Sequence, residues 1–257
     1  MAQISLKNVY KAYYTDRSMS EARIVLNNVD LDIKEGEFVS LIGPSGCGKT
    51  TVLNLIAGFE NPTKGEVTFD GNKITGPSPE RGVVFQEYSL FPWMSVSKNI
   101  ELALECKNVP EKERKGIAED ALKSVGMSRF ADSRPNTLSG GMKQRVAIAR
   151  LLAMDSKVFL MDEPFSALDE QTRRKLDEDI VQLWKEKKKT VVFVTHSVEE
   201  AIAVSTRIIM FSDAPGKIIG EWDLSNRKSK DITLPENSRL KKEIVDSLPL
   251  CKCQFCR

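Results

Sequence analysis

The stretch EFVSLIG (37–43) runs into GPSGCGKTT (43–51), which opens KTTVLNLIAGF (49–59), and no other part of the chain restricts its fold as strongly. An apolar run without polar alternation is a strand buried on both faces, the pattern of a parallel sheet. The glycines that follow permit a turn bulkier residues cannot make, and the apolar spacing then becomes helical. Gly43, Pro44, Ser45, Gly46, Cys47, Gly48, Lys49 and Thr50 fit G-x-x-x-x-G-K-[ST] in the strand–loop–helix context that the pattern requires. Such a loop turns backbone N–H groups inward around phosphate oxygens, and the helix N-terminus adds a favourable dipole. Lys49 is placed to reach β- and γ-phosphates and Thr50 to ligate Mg²⁺. Thr51 stands where a G-x-G-x-x-G fingerprint would need its last glycine, which disfavours a dinucleotide.

The alternation of short apolar segments with helical ones continues in VFLMDEP then QTRRKLDEDIVQLWKEKK, TVVFVTH then SVEEAIAVS, and finally RIIMFS. This predicts an α/β core with a mostly parallel sheet. ISLKNVYKAYY, RIVLNNVDLDIKEGE and GEVTFDGNKI alternate with turn residues and predict an N-terminal antiparallel β portion. Residues 87–137 turn mostly helical, which places an inserted helical subdomain at about 87–157 within a domain of 1–222, followed by a tail of 223–257.

Lys and Arg total 38 against 36 Asp and Glu, and a net charge of +2 speaks against a dedicated nucleic-acid binder. KEKKKT (185–190) reads as the solvated end of a helix before a buried strand, with a phosphate-contact patch as the alternative. No apolar run approaches the roughly eighteen residues a bilayer span demands, and the start lacks a signal core, so the chain is expected in the cytoplasm. The five cysteines make no disulfide framework, and Cys251, Cys253 and Cys256 form C-x-C-x-x-C, an incomplete zinc set or an exposed redox-sensitive tail.

Two further patterns carry chemistry. In VFLMDEP, Asp162 and Glu163 fall at the carboxyl end of a buried strand, where ligands bind in open α/β sheets. Asp162 can hold Mg²⁺ while Glu163 polarises an attacking water. In TLSGGMKQRVAIARLLAM (137–154), Ser139, Gly140 and Gly141 form a small-residue turn before a long helix, a second candidate anion site.

The chain resembles the nucleotide-binding subunit of an ATP-binding cassette (ABC) transporter over about residues 3–222. Gln86 in VVFQEYSLFPW resembles the family's Q-loop, LSGGMKQR its signature, SALD its D-loop and His196 in FVTHSVEEA its switch histidine. The resemblance implies ATP and Mg²⁺ as ligands and a head-to-tail pair of subunits, in which Ser139 and Gly141 of one copy meet the phosphates held by the other. It implies that Gln86 senses the γ-phosphate through Mg²⁺ or water, that Asp169 joins the two sites, and that Glu163, His196, Gln86 and Lys49 are catalytic. Tyr13 aligns best with the aromatic that stacks on adenine, with Tyr10 and Tyr14 as alternatives, because the insertion TDRSMSEAR (15–23) lengthens the first hairpin. Met142 replaces the usual glutamine of LSGGQ, and Gln144 lies nearby in sequence.

Lack of a spanning segment points to a separate permease and so to the importer arrangement, peripheral on the inner face of the membrane, with an extracytoplasmic solute-binding protein as an indirect partner. Residues 76–100 are similar to the importer branch serving nitrate, taurine and aliphatic sulfonates. The aromatics of YSLFPWMSV are either core of the helical subdomain or the wall of a groove for a permease helix. A soluble ABC ATPase acting on ribosomes or DNA is the alternative; such proteins generally carry long coiled coils or two cassettes, and this sequence shows neither. A regulatory protein of low turnover is disfavoured by Glu163 and His196.

Overall fold

A computed structural model describes residues 2–14, 22–87, 89–166, 168–227 and 234–249. The fold is α/β, and the chain divides into two compact units, Met1–Pro77 with Thr190–Arg257, and Ser78–Lys189. The cysteines Cys251, Cys253 and Cys256, and residues 15–21 of the hairpin insertion, lie outside the described residues.

The first unit contains both kinds of sheet that the sequence implies. Strands β1 (Ala2–Tyr14) and β2 (Ala22–Lys34) form an antiparallel hairpin, extended by β4 (Lys64–Phe69) and β5 (Asn72–Lys73) in the order β2-β1-β4-β5. Strand β3 (Phe38–Ile42) is buried throughout, as is β8 (Thr190–Val194), and the two pair in parallel. On its other edge β3 pairs in parallel with β9 (Arg207–Phe211), whose antiparallel neighbour β10 (Ile218–Asp223) closes the order β10-β9-β3-β8. Helices α1 (Lys49–Ala57) and α6 (Val198–Val204) follow β3 and β8 directly. Near the carboxyl end, α7 (Pro235–Asp246) folds back onto α6 instead of trailing away: Ile244 is fully buried with Ala201, Ile202 and Ile208, and Lys241 pairs with Glu199.

The second unit pairs β6 (Arg81–Val84) in parallel with β7 (Val158–Asp162). Three α-helices lie between them in sequence, α2 (Val96–Cys106), α3 (Glu111–Ser124) and α4 (Gly140–Ala153), and α5 (Glu170–Lys187) follows β7. The ends of α5 follow local rules closely. Asp169 caps it by accepting from the Thr172 N–H at 3.0 Å, and Lys185 and Lys187 sit at the negative end of its dipole before the strand that begins at Thr190. Of the aromatics after Gln86, Phe91 and Trp93 are not core, and Tyr88 lies outside the described residues. Asn99 ties the segment down by accepting from the Phe91 N–H at 2.7 Å and donating to the Phe91 carbonyl at 3.2 Å. Trp93 is nevertheless 67% exposed, and its ring lies 5.4 Å from that of exposed Phe91.

Candidate functional site

The phosphate loop is the best-built feature of the first unit. Gly43 (φ 144°) and Gly48 (φ 98°) take conformations that L side chains rarely adopt. A Cβ at those positions would lie 2.7 Å from the Phe211 carbonyl oxygen and 2.5 Å from Leu26 Cδ2, so both glycines are required sterically as well as conformationally. Helix α1 opens at Gly48 without a side-chain cap, in contrast to α2, α4, α5 and α6, whose first turns are each capped by Ser or Asp. A helix end built from loop backbone in this way is suited to an external anion.

Lys49 occupies the centre of the loop. Although only 6% exposed, its ammonium is fully engaged, donating to the carbonyl oxygens of Gly43 at 2.7 Å and Pro44 at 2.8 Å and approaching Cys47 Sγ at 3.7 Å. The cost of removing that charge from water has thus been met within the fold, and phosphate oxygens can replace the loop carbonyls. Burial pushes the Cys47 thiol up despite the opposing pull of Lys49, which keeps it an uncharged filler beneath the loop. Ser45, Gly46 and Thr50 are exposed, while Thr51 is buried.

Tyr13 is brought to this loop by side-chain contacts. Its hydroxyl lies 3.4 Å from Thr51 Oγ1 and donates to Glu60 Oε2 at 2.7 Å, and Lys11 Nζ sits 5.0 Å from the ring centroid. Desolvation and the bond to Glu60 raise the phenol's pKa, so it stays protonated. Tyr14 is half-exposed at the strand end, and Tyr10 gives its carbonyl to the Thr63 N–H at 2.8 Å. His196, also in the first unit, is exposed one residue past buried Thr195.

In the second unit, Asp162 ends β7 and Glu163 follows with φ 43°, a left-handed conformation unusual for a residue with a Cβ. Ser166 stabilises that turn: its hydroxyl donates to the Glu163 carbonyl at 3.0 Å and accepts from Gln86 Nε2 at 3.0 Å. One hydroxyl therefore joins the side chain of Gln86 to the backbone of Glu163. Neither the bent backbone nor Ser166 is visible in residue types or spacing, although Ser166 belongs to the SALD motif.

The turn at Ser139 is of a different kind. Ser139 is exposed and caps α4, accepting from the Met142 N–H at 3.3 Å. Gly141 is buried, and a Cβ there would lie 2.7 Å from Thr172 Cγ2, so close packing of α4 on α5 already requires its glycine. Gln144 points into the unit at 0% exposure and cannot stand in for the amide that Met142 lacks. The reason is helical phase, since Gln144 lies three residues after Gly141 and shares its buried face.

Thr50 in the first unit offers a hydroxyl oxygen, and Gln86 and Asp162 in the second unit offer an amide and a carboxylate oxygen, all hard donors. No group of three or more His, Cys, Asp or Glu able to hold a metal occurs among the described residues. Hard oxygen donors of these kinds suit Mg²⁺, which usually arrives with substrate phosphates.

Comparison with known proteins gives one consistent result. The ABC transporter family model matches residues 26–166. A taurine import ATP-binding protein of Roseobacter denitrificans is 48% identical over 77% of this chain and 74% of its own length. A bicarbonate transport ATP-binding protein of Synechococcus elongatus is 47% identical over 94% of this chain, which spans only 37% of that longer protein. A solved dimeric ATP-binding cassette in a post-hydrolysis state with ADP and Pi is 39% identical, with a TM-score of 0.74 over 86% of this chain and 98% of its own.

Proposed function

The chain belongs to the ABC transporter family and is an ATPase within it, and from that premise we propose that it powers import of a small anionic solute through a separate membrane permease. The observation that carries the import reading is the 48% identity to a taurine import ATP-binding protein, supported by the 47% identity to a bicarbonate one. No helix among the described residues is long and apolar enough to cross a membrane, in keeping with a partner that supplies the channel. Exposed Phe91, whose backbone Asn99 holds, and exposed Trp93 suit a surface that receives a permease helix, which supports a working position at the inner face of the membrane. A solute-binding protein on the far side would act through that permease.

The roles follow from the chemistry of each group. Gly43 to Thr51 bind the phosphates through backbone N–H groups, Lys49 exchanges its loop carbonyls for phosphate oxygens, and Tyr13 offers its ring to adenine. Mg²⁺, held by Thr50, Asp162 and Gln86, would neutralise charge on the β- and γ-phosphates. Glu163 accepts hydrogen bonding from the attacking water, and His196 and Gln86 help orient it. Ser139, Gly140 and Gly141 of a second copy complete the phosphate contacts head to tail, and Asp169 lies where it can join the two sites. The helical segment 87–157 would transmit the nucleotide state to the permease as a subdomain of the ATPase domain 1–222, with 223–257 appended.

The test is capture of tagged Glu163→Gln chain from gently solubilised native membranes with ATP and Mg²⁺. A co-purified multi-span permease is expected; ribosomal or DNA-bound proteins in its place would keep the ATPase and overturn the transporter.

A further inference from the structure

His196 is exposed, yet the residues flanking it are held tightly. Thr195, 2% exposed, donates its hydroxyl proton to Glu200 Oε2, and its own Oγ1 accepts the Ser197 N–H at 3.0 Å. Ser197 caps α6 by accepting the Glu200 N–H at 3.2 Å. These three hydrogen bonds close a ring that spans the peptide units on both sides of His196.

The ring departs from the usual capping box in one respect. There, the carboxylate of the third helical residue returns directly to the N-cap N–H. Here the Thr195 hydroxyl stands between Glu200 and the Ser197 N–H, so the tie reaches back across the histidine. Glu200 is only 8% exposed, and burying a carboxylate is costly unless its bonds are strong. The far side of the ring is rigid as well, because Ala201 and Ile202 of α6 are fully buried against Ile208 and Ile244.

We propose that Thr195 and Glu200 are positioning residues that hold the imidazole of His196 in its working orientation; the proposal rests on the hydrolytic role given to His196 above. Neither residue touches nucleotide in this scheme. Both act by removing the backbone freedom that would let an exposed side chain wander, which is an entropic contribution to catalysis.

The test compares Thr195→Val and Glu200→Ala with Thr195→Ser and Glu200→Gln, which keep a donor and an acceptor. The first pair is expected to lower kcat about tenfold, as loss of a buried hydrogen bond allows, with ATP affinity measured by a fluorescent analogue unchanged within about twofold. The second pair is expected to recover kcat to within about threefold of the parent. In a His196→Ala background, Thr195→Val should cost nothing further. His196 is the sole histidine of the chain, so one imidazole signal in a ¹H–¹³C spectrum reports its surroundings without assignment. That signal should shift or broaden in Thr195→Val and stay in place in Thr195→Ser.

Parental kcat with an unmoved signal in Thr195→Val would overturn the proposal, and so would a further loss in the His196→Ala background. If His196→Ala itself keeps full kcat, the hydrolytic role of the histidine is lost, and the spectrum still decides whether the ring holds it. Should Glu200→Ala fail to fold, the near-isosteric Thr195→Val carries the test alone.

Discussion

The phosphate loop and the turn at Ser139 look alike in sequence, both being small residues ahead of a helix, but they are finished differently. At Gly48 the helix has no side-chain cap, and a buried lysine holds the loop's own carbonyls. At Ser139 the side chain already satisfies its helix, and Gly141 is committed to packing against Thr172. A phosphate reaching the first site meets donors that can be released to it; at the second it competes with an existing cap. The difference favours the first as a loop that can hold nucleotide by itself; under the proposed head-to-tail pairing, the second would meet phosphate only when a partner delivers it.

Mixing two defective chains is the sharpest way to break this comparison. Lys49→Ala should reduce kcat/KM by about a hundredfold or more, and Ser139→Ala by about tenfold, each as a homodimer. A dimer with one copy of each should regain about half the parental activity, because head-to-tail pairing gathers both defects into one composite site and leaves the other whole. Activity no higher than that of the mixed homodimers would refute the trans assignment of Ser139. A second contrast concerns affinity: Ser139→Ala should leave nucleotide binding to the isolated chain unchanged in a titration, yet lower its stability by about 1 kcal/mol through the lost cap.

Steric contrasts come next. Gly48→Ala combines a positive φ with a 2.5 Å approach to Leu26 and should cost about 2–3 kcal/mol, read as a fall in Tm. Gly141→Ala meets the Thr172 methyl at 2.7 Å, with Leu176 at ordinary contact distance, so its smaller loss should be largely recovered in Gly141→Ala/Thr172→Ser. Failure of that rescue would detach Gly141 from the packing explanation.

The smallest effect concerns Glu60, which anchors the Tyr13 hydroxyl beside the loop. Desolvation pushes its pKa up, but hydrogen bonds from Lys11, Tyr13 and Asn54 outweigh that and leave it lowered. A lowered folded pKa contributes stability above the unfolded carboxylate value and loses it as pH falls through the folded one. The parental advantage in Tm over Glu60→Gln should therefore be present at neutral pH and fade below the ordinary carboxylate range. A gap that does not change with pH would remove the ionic part of this anchor.

Much of the fold was legible because the relevant rules are local. The mostly apolar segments at 38–42 and 158–161 imply buried parallel strands, and the short run from Gly43 to Thr50 implies the phosphate loop. Strands β6 and β10 were harder to read: β6 offers four residues containing an arginine and a glycine, and β10 alternates in exposure without a matching apolar–polar alternation in IIGEWD. Helix α7 was invisible as a docked element, since its place depends on a face of α6 about forty residues earlier. Ser166 was likewise hidden, because its partners Gln86 and Glu163 meet only after β6 and β7 pair.

By itself the sequence determined which residues could carry charge, phosphate and metal, and the elements they begin or end. Those outcomes depend on backbone conformations and periodicities that span a few residues. Only the tertiary structure decided that Lys49 is buried within its loop, that Glu163 is bent into a left-handed turn, that Gln144 faces inward and that Thr195 and Glu200 close around His196. The physical reason is that hydrogen-bond geometry and burial are properties of groups meeting in space, and a one-dimensional pattern fixes the candidates without fixing their partners.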